Sequence, residues 1–262
     1  MSKVVSLFSS SSGNSFLVSC KGSNILIDAG VCCKALTSQL SEYGVLPQSI
    51  SGVILTHEHI DHIKGVRVFC DKHNIPLYAS KGILEELENR GFIPLKSKIH
   101  TIRDEFSIGD FLITPFATPH DCRESFGYTI VTDDCKKIAV CTDLGHITPA
   151  VKNALTGSNF VFLESNHDIE MLKNGNYPAS LKQRILGMFG HLSNKACDEM
   201  LLPLIESGTT QIMLGHISQE NNSVALALSC ARKTLLYNGL VENRDFLLSA
   251  ADVDGNGKFC IV

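Results

Sequence analysis

The chain has no tryptophan, no C-x-x-C pair, no apolar run of 18 residues and no excess of positive charge. Each absence removes a class of answer. Without a long apolar run, no membrane-spanning helix is expected. A net charge of −4 and a pI near 6.2 exclude a general basic coat for nucleic acid, while a local basic groove is compatible with both. The start, MSKVVSLFSSSSGNSF, holds too short an apolar stretch for a secretory signal and no cleavage-site pattern, so the expected location is the cytoplasm. No Pro/Gly/Ser-rich linker and no solenoid-length repeat divides the 262 residues. One domain over 1–262, made of two similar halves, is the expectation. The aromatic content gives no functional lead.

What is present is ordinary for a folded protein. At 44% hydrophobic and 19% charged residues, the chain can bury a substantial core, which excludes wholesale disorder. Its ten cysteines read as reduced, half-buried small hydrophobes rather than disulfides. Short β-rich runs at 4–8, 15–19 and 24–30 precede a helix over 31–43 and a buried strand over 52–56. Further strands are expected near 76–80, 111–116, 125–132, 137–142, 160–165 and 211–215. Helices are expected near 61–74, 81–90, 148–156, 179–189, 195–206 and 221–236. Alternation of this kind predicts a layered α/β fold.

The strongest chemical signal is THEHIDH at 56–62, directly after the 52–56 strand. Three imidazoles and a carboxylate in so short a stretch are ligands that zinc or manganese accepts. An extended exit from the strand sends His57 and His59 to one side. The chain then turns into a helix, where Asp61 and His62 can face a second metal beside the first. His120, Asp143 and His216 each follow a later apolar strand in the same manner, and open α/β sheets gather ligands at that carboxyl end.

H-x-H-x-D-H followed by single His, Asp and His residues after later strands resembles the metallo-β-lactamase superfamily, over essentially the whole chain. The resemblance implies an αββα four-layer sandwich. It further implies one metal on His57, His59 and His120, a second on Asp61, His62 and His216, and Asp143 bridging both. Two such metals would activate a bridging water, which Asp61 also orients.

Other segments point within the superfamily. SSSSGNS (9–15) resembles the Ser/Gly loop of its phosphodiesterase and nuclease members, with Ser11, Ser12, Gly13 and Asn14 as candidate substrate contacts; its plainer reading is a turn. GHLSN (190–194) is similar to the segment in which ribonuclease Z keeps a general-acid histidine. That resemblance assigns His191 the acid role and Glu164 its orientation, while Ser193 or Asn194 caps the helix that follows. His146 and His167 are candidate pocket residues beside Ser193. TPFATPHD, AVCTDLGHIT, FLESNHD, GHLSN and GHISQENN, in that order, resemble the YycJ/WalJ family of metallo-β-lactamase-fold hydrolases. That resemblance implies exonuclease activity on DNA from the 5′ end, in a bacterial cytoplasm.

The motif HEHIDH alone does not separate this reading from a thioester or small-ester hydrolase of the glyoxalase II type. A metal-binding regulatory module without catalysis is a third reading. The short intervals between His120 and Asp143 and between Asp143 and His216 leave no room for a tRNA-gripping arm or an accessory domain. DVDGNG (252–257) starts like a calcium loop but lacks its closing glutamate, and reads as an Asn-Gly hairpin turn. His73 and His100 are expected at the surface.

Overall fold

A computed structural model of the chain describes residues 1–253 and 259–262. The DVDGNG turn therefore falls largely outside the described residues. Elements are numbered in chain order. The first sheet runs, strand by neighbouring strand, β14 (Cys260–Ile261), β1 (Ser2–Ser10), β2 (Gly13–Cys20), β3 (Ser23–Ile27), β4 (Ile50–Ile54), β5 (Leu77–Ala79) and β6 (Ile99–Thr101). The second runs β13 (Leu247–Ala250), β12 (Gln211–Gly215), β11 (Phe160–Glu164), β10 (Lys137–Cys141), β9 (Phe126–Val131), β8 (Phe111–Ala117) and β7 (Phe106–Ile108).

The period of two along each strand divides its side chains between two cores. Phe16, Val18, Ile25, Ile27 and Ile54 of the first sheet meet Ile113, Tyr128, Ile130, Val140, Phe160 and Phe162 of the second, forming the layer between the sheets. The alternate residues Leu17, Leu26 and Val53 face outward onto α1 (Cys33–Glu42), α3 (Val66–His73) and α4 (Lys81–Asn89). On the far side, Ala139, Val161, Leu163, Ile212 and Leu214 pack under α5 (Pro149–Leu155), α8 (Asn194–Glu206) and α9 (Val224–Tyr237). Helix, sheet, sheet and helix make the αββα sandwich that the resemblance implies. Ser80, Thr148, Ser193 and Ser223 accept backbone N–H groups and so cap α4, α5, α8 and α9.

Strand direction places the site. β3 and β4 are parallel, and β10, β11 and β12 are parallel. β8 is antiparallel to β9, which is antiparallel to β10, so β8 points the same way as β10. The candidate ligands therefore leave their strands at shared edges. Tyr128, fully buried in the second sheet, donates its hydroxyl to the Leu55 carbonyl at 2.6 Å, tying the two sheets together just before His57.

Two local expectations change. The helix expected over 61–74 is two, α2 (Ile60–Ile63) and α3, separated at Gly65. A side chain at Gly65 would stand 2.1 Å from the Val31 carbonyl, and its N–H donates to Ala29 O at 2.8 Å. This close approach of the 29–31 segment interrupts the helix. The helix expected over 179–189 ends earlier, as α7 (Ala179–Leu186), and a short α6 (Ile169–Asn174) precedes it. His73 is half-buried against Phe69 rather than at the surface.

Candidate metal centre

Six of the seven predicted ligand side chains and their neighbours form overlapping groups with donor atoms within 4.8 Å of one another: His57, His59 and His120; His57, His62 and Asp143; and Asp143, Glu164, His191 and His216. Asp143 stands in the middle. Its Oδ2 is 3.3 Å from His62 Nε2, and its Oδ1 is 3.3 Å from His216 Nδ1 and 4.0 Å from His120 Nε2. Asp61 joins at the side, 3.5 Å from His62 Nε2.

Four of the five imidazoles are held from behind. His120 Nδ1 donates to the Gly190 carbonyl at 3.1 Å, and a carbonyl can only accept, so Nε2 carries the lone pair. The Thr56 hydroxyl donates to Asp28 at 2.8 Å, leaving its oxygen to accept from His57 Nδ1 at 3.0 Å. His62 Nδ1 lies 2.8 Å from Asp28 Oδ2, and His216 Nδ1 lies 2.7 Å from Glu164 Oε1. In these four rings Nδ1 is engaged and Nε2 is left as the donor atom for a metal, which is how metal-binding histidines are oriented. Nε2 of His57 and of His216 are buried without any hydrogen-bond partner among the described residues. A buried unpaired nitrogen is costly unless something else fills the role. His59 Nδ1 and His120 Nε2 face each other at 3.2 Å, close to the ~3.4 Å spacing of two nitrogens on one tetrahedral cation. The donor set fits divalent metal.

The electrostatics agree. Burial, reinforced by the His62 imidazole, holds His57 well below its ordinary pKa, so it stands neutral. Burial also opposes charge on His62, but Asp28 and Asp143 outweigh it and raise its pKa well above 6.5. For His216, Asp143 and Glu164 overcome burial and push the value up to about 9. Burial opposes the Asp143 carboxylate too, yet His216 and His62 hold it well below the usual carboxylate range. Negative charge is concentrated here with protons as its counter-ions, and those protons are what a cation would displace.

Backbone strain marks the same places. Asp28, Asp143 and His216 have φ of +62°, +54° and +52°, a region that costs a non-glycine residue energy and clusters at functional sites. Hydrogen bonds hold two of these bends: Asp28 N–H to Ile54 O at 2.8 Å, and His216 N–H to Ser9 Oγ at 2.7 Å.

Glu164, fully buried, accepts four N–H groups: Leu144 and Leu192 backbone at 3.0 Å each, His191 Nδ1 at 2.8 Å and His216 Nδ1 at 2.7 Å. Burial disfavours its charge, but His191 and these bonds bring its pKa down to about 2. Its reach is wider than expected, since it orients His216 as well as His191. Ser9–Asn14 is not an open loop. Ser10 pairs with Gly13 across a two-residue turn, leaving Ser11 and Ser12 exposed. Ser11 borders a cleft of about 220 Å³ together with His191, His216, Asn166, Tyr177 and Arg184. Asn14 instead turns inward, with Nδ2 3.2 Å from Asp61 Oδ2 and 3.0 Å from His62 Nε2. Ser193 caps α8, and Asn194 is buried against Ser165 and Asn222. His167 is buried and its pKa falls to about 4 through burial. His146 Nδ1 donates to the Met188 carbonyl at 3.0 Å. Cys122 and Cys141 stay protonated, burial pushing the first thiol up to about 12 and the second well above its ordinary value. All ten cysteines are free.

Asp28 escaped the sequence reading, although it ends NILID much as Asp143 follows IAVCT. Asp121 is a second omission. It pairs with Arg184, whose Nη2 lies 3.0 Å from Oδ1, and so fixes the guanidinium at the cleft.

Similarity to known proteins follows this geometry. The Beta-lactamase superfamily domain matches residues 23–217. The chain is 34% identical over 248 residues, 94% of each chain, to exodeoxyribonuclease YycJ of Bacillus anthracis. It is 35% identical over 225 residues to exodeoxyribonuclease WalJ of Streptococcus pneumoniae, covering 84% of this chain and 83% of that one. Zn(2+)-bound PqqB from Methylobacterium extorquens shares the fold with a TM-score of 0.72 at 17% identity, over 99% of this chain and 100% of that one. With a matching domain, two extended relatives and a cluster built for divalent metal, the chain belongs to the metallo-β-lactamase superfamily, as a metal-dependent hydrolase of its YycJ/WalJ branch.

Proposed function

We propose that this hydrolase is a dinuclear phosphodiesterase that shortens DNA from its 5′ end in the cytoplasm, with two zinc or manganese ions per chain. One observation carries the metal count: Asp143 presents one oxygen towards His62 and the other towards His216 and His120. His57, His59 and His120 would hold the first ion, and Asp61, His62 and His216 the second, with Asp143 between. The bound cations would supply an activated water and counter the charge that develops on the phosphate.

The remaining chemistry belongs to the chain. Asp61, steadied by Asn14, orients the attacking water. His191, its Nδ1 fixed by Glu164, offers Nε2 to protonate the leaving oxygen. Ser11 and Arg184 border the cleft where the phosphate lies. The exonuclease reading rests on what the YycJ and WalJ relatives are named for. Among the described residues no helix is long and apolar enough to cross a membrane.

The test supplies manganese, magnesium or zinc to purified protein and presents linear DNA labelled at either end, the matching RNA, a closed circle and a thioester. Loss of label progressing from 5′ ends of DNA, with the circle intact, is the expected result. Rapid cutting of the circle, or turnover confined to the thioester, overturns the reading.

A further inference from the structure

The segment after α7 presents a contradiction. Leu186, Met188 and Phe189 are 43%, 61% and 60% exposed, although Phe and Met are side chains that folding usually buries. Disorder is not the cause, because the backbone beneath them is clamped. His191 N–H donates to Ile185 O, and Gly190 N–H to Gly187 O, both at 3.0 Å. His146 Nδ1 holds the Met188 carbonyl, and His120 Nδ1 holds the Gly190 carbonyl. Gly145 lies so close that a side chain there would meet Met188 O at 2.2 Å. Leu186 closes α7, and Met188 and Phe189 are displayed from the hydrogen-bonded loop after it, one residue away from the backbone support of a candidate metal ligand.

Exposed apolar clusters of this kind mark binding surfaces. The neighbours specify the partner's chemistry. Arg184 and His191, on either side of the segment in sequence, border the cleft, where the Arg184 guanidinium offers a cation to an anionic group. An anionic group joined to a planar aromatic ring is the make-up of a nucleotide. Bases stack on aromatic side chains in a sequence-tolerant way, because every base has a π-face. A phenylalanine has only two side-chain torsions to order on contact.

We infer that Met188 and Phe189 form a stacking surface for the unpaired base next to the scissile phosphate. This rests on the nuclease reading and deepens it, since it selects a frayed or single-stranded end without reading base edges. Arg184, positioned by Asp121, contacts the adjoining phosphate.

The test compares the metal-loaded wild type with Phe189→Ala and Phe189→Tyr on a single-stranded oligodeoxynucleotide. A second strand of the same length carries abasic residues at its terminal positions. On the intact strand, Phe189→Ala is expected to raise KM about 5- to 150-fold, the range for losing one stacked base, with kcat moving less and Phe189→Tyr restoring it. On the abasic strand, the wild type should lose this advantage and approach the variant. An unchanged KM on intact DNA overturns the inference. So does an equal loss on both strands, which would make Phe189 a support for His120 and His191. A wild-type dimer that Phe189→Ala converts to a monomer, seen by sedimentation, would assign the surface to a second copy of the chain and also overturn it. Wild-type protein that leaves intact DNA untouched would remove the nuclease reading itself, a failure distinct from these.

Discussion

The two sheets build their shares of the candidate metal centre by different means. The first delivers His57, His59, Asp61 and His62 from one continuous stretch, because β4 ends and the chain folds directly into the short α2. The second delivers one residue per strand end, with His120 after β8, Asp143 after β10, Glu164 at the end of β11 and His216 after β12. Local geometry therefore dominates in the first sheet, and the relative placement of strands dominates in the second. Positive φ occurs in both halves, at Asp28 behind His62 in the first and at two strand-end ligands in the second. None of the four residues from the 57–62 stretch has a positive φ, whereas Asp143 and His216 both do. Two of the strand-end ligands are turned by their own backbone, while His120 is not. The support follows the division between the sheets. The first half relies on Asp28 behind His62, and the second on Glu164 behind both His216 and His191.

This contrast can be broken at its centre. Asp143→Ala should have the largest effect, because it removes the carboxylate facing both halves. Metal analysis of the purified variant should show reduced occupancy, and hydrolysis should fall by more than the roughly 10⁴-fold upper range for losing a general acid. Two fully occupied metals in that variant would remove Asp143 from the bridging role. Next, His191→Ala should retain metal while turnover falls by roughly 10²–10⁴-fold. Diesters with strongly acidic leaving groups should lose much less, since they need no proton. Equal losses for good and poor leaving groups would move His191 from proton transfer to phosphate binding.

Supports behind the ligands should matter less than the ligands themselves. Asp28→Asn keeps the shape but weakens the hold on His62 Nδ1–H, and metal affinity measured by competition with a chelator should drop by roughly 10–100-fold. An unchanged affinity would mean that the Asp28 contact is structural only. The smallest effect is graded by pH. His216 holds a second proton up to about pH 9 in the metal-free chain, and a cation must displace it. Apparent affinity should rise with pH from near 7 towards 9, by at most about tenfold per unit for that proton, and then level. Because this pKa is raised on folding, its contribution to stability of the metal-free chain is complete below about pH 6.5 and disappears as pH climbs through about 9. A thermal melt of chelator-treated protein across that window should show the decline, and a flat profile would contradict it.

Much of the centre was legible in the sequence because its signals are local. HEHIDH requires only a strand that ends and a helix that begins, and the apolar run before it marks that strand. His120, Asp143 and His216 were legible for a related reason, each standing just past a short apolar run. Alternation of strands and helices likewise sufficed for the layered architecture. Asp28 obeys the same rule and was overlooked because no histidine stands beside it in sequence; its partner, His62, is brought to it by the parallel pairing of β3 with β4. The double duty of Glu164 was invisible, since it depends on His191 and His216 arriving from separate elements at one carboxylate oxygen. The form of the Ser-rich segment stood between a loop and a turn, because whether Ser9–Asn14 opens or closes depends on the register of β1 against β2. Residue types and their spacing along the chain determine which groups can bind metal. Which face which, how each imidazole is turned, and why Met188 and Phe189 stand in solvent beside them were decided by strand pairing and backbone clamps that join residues far apart in sequence.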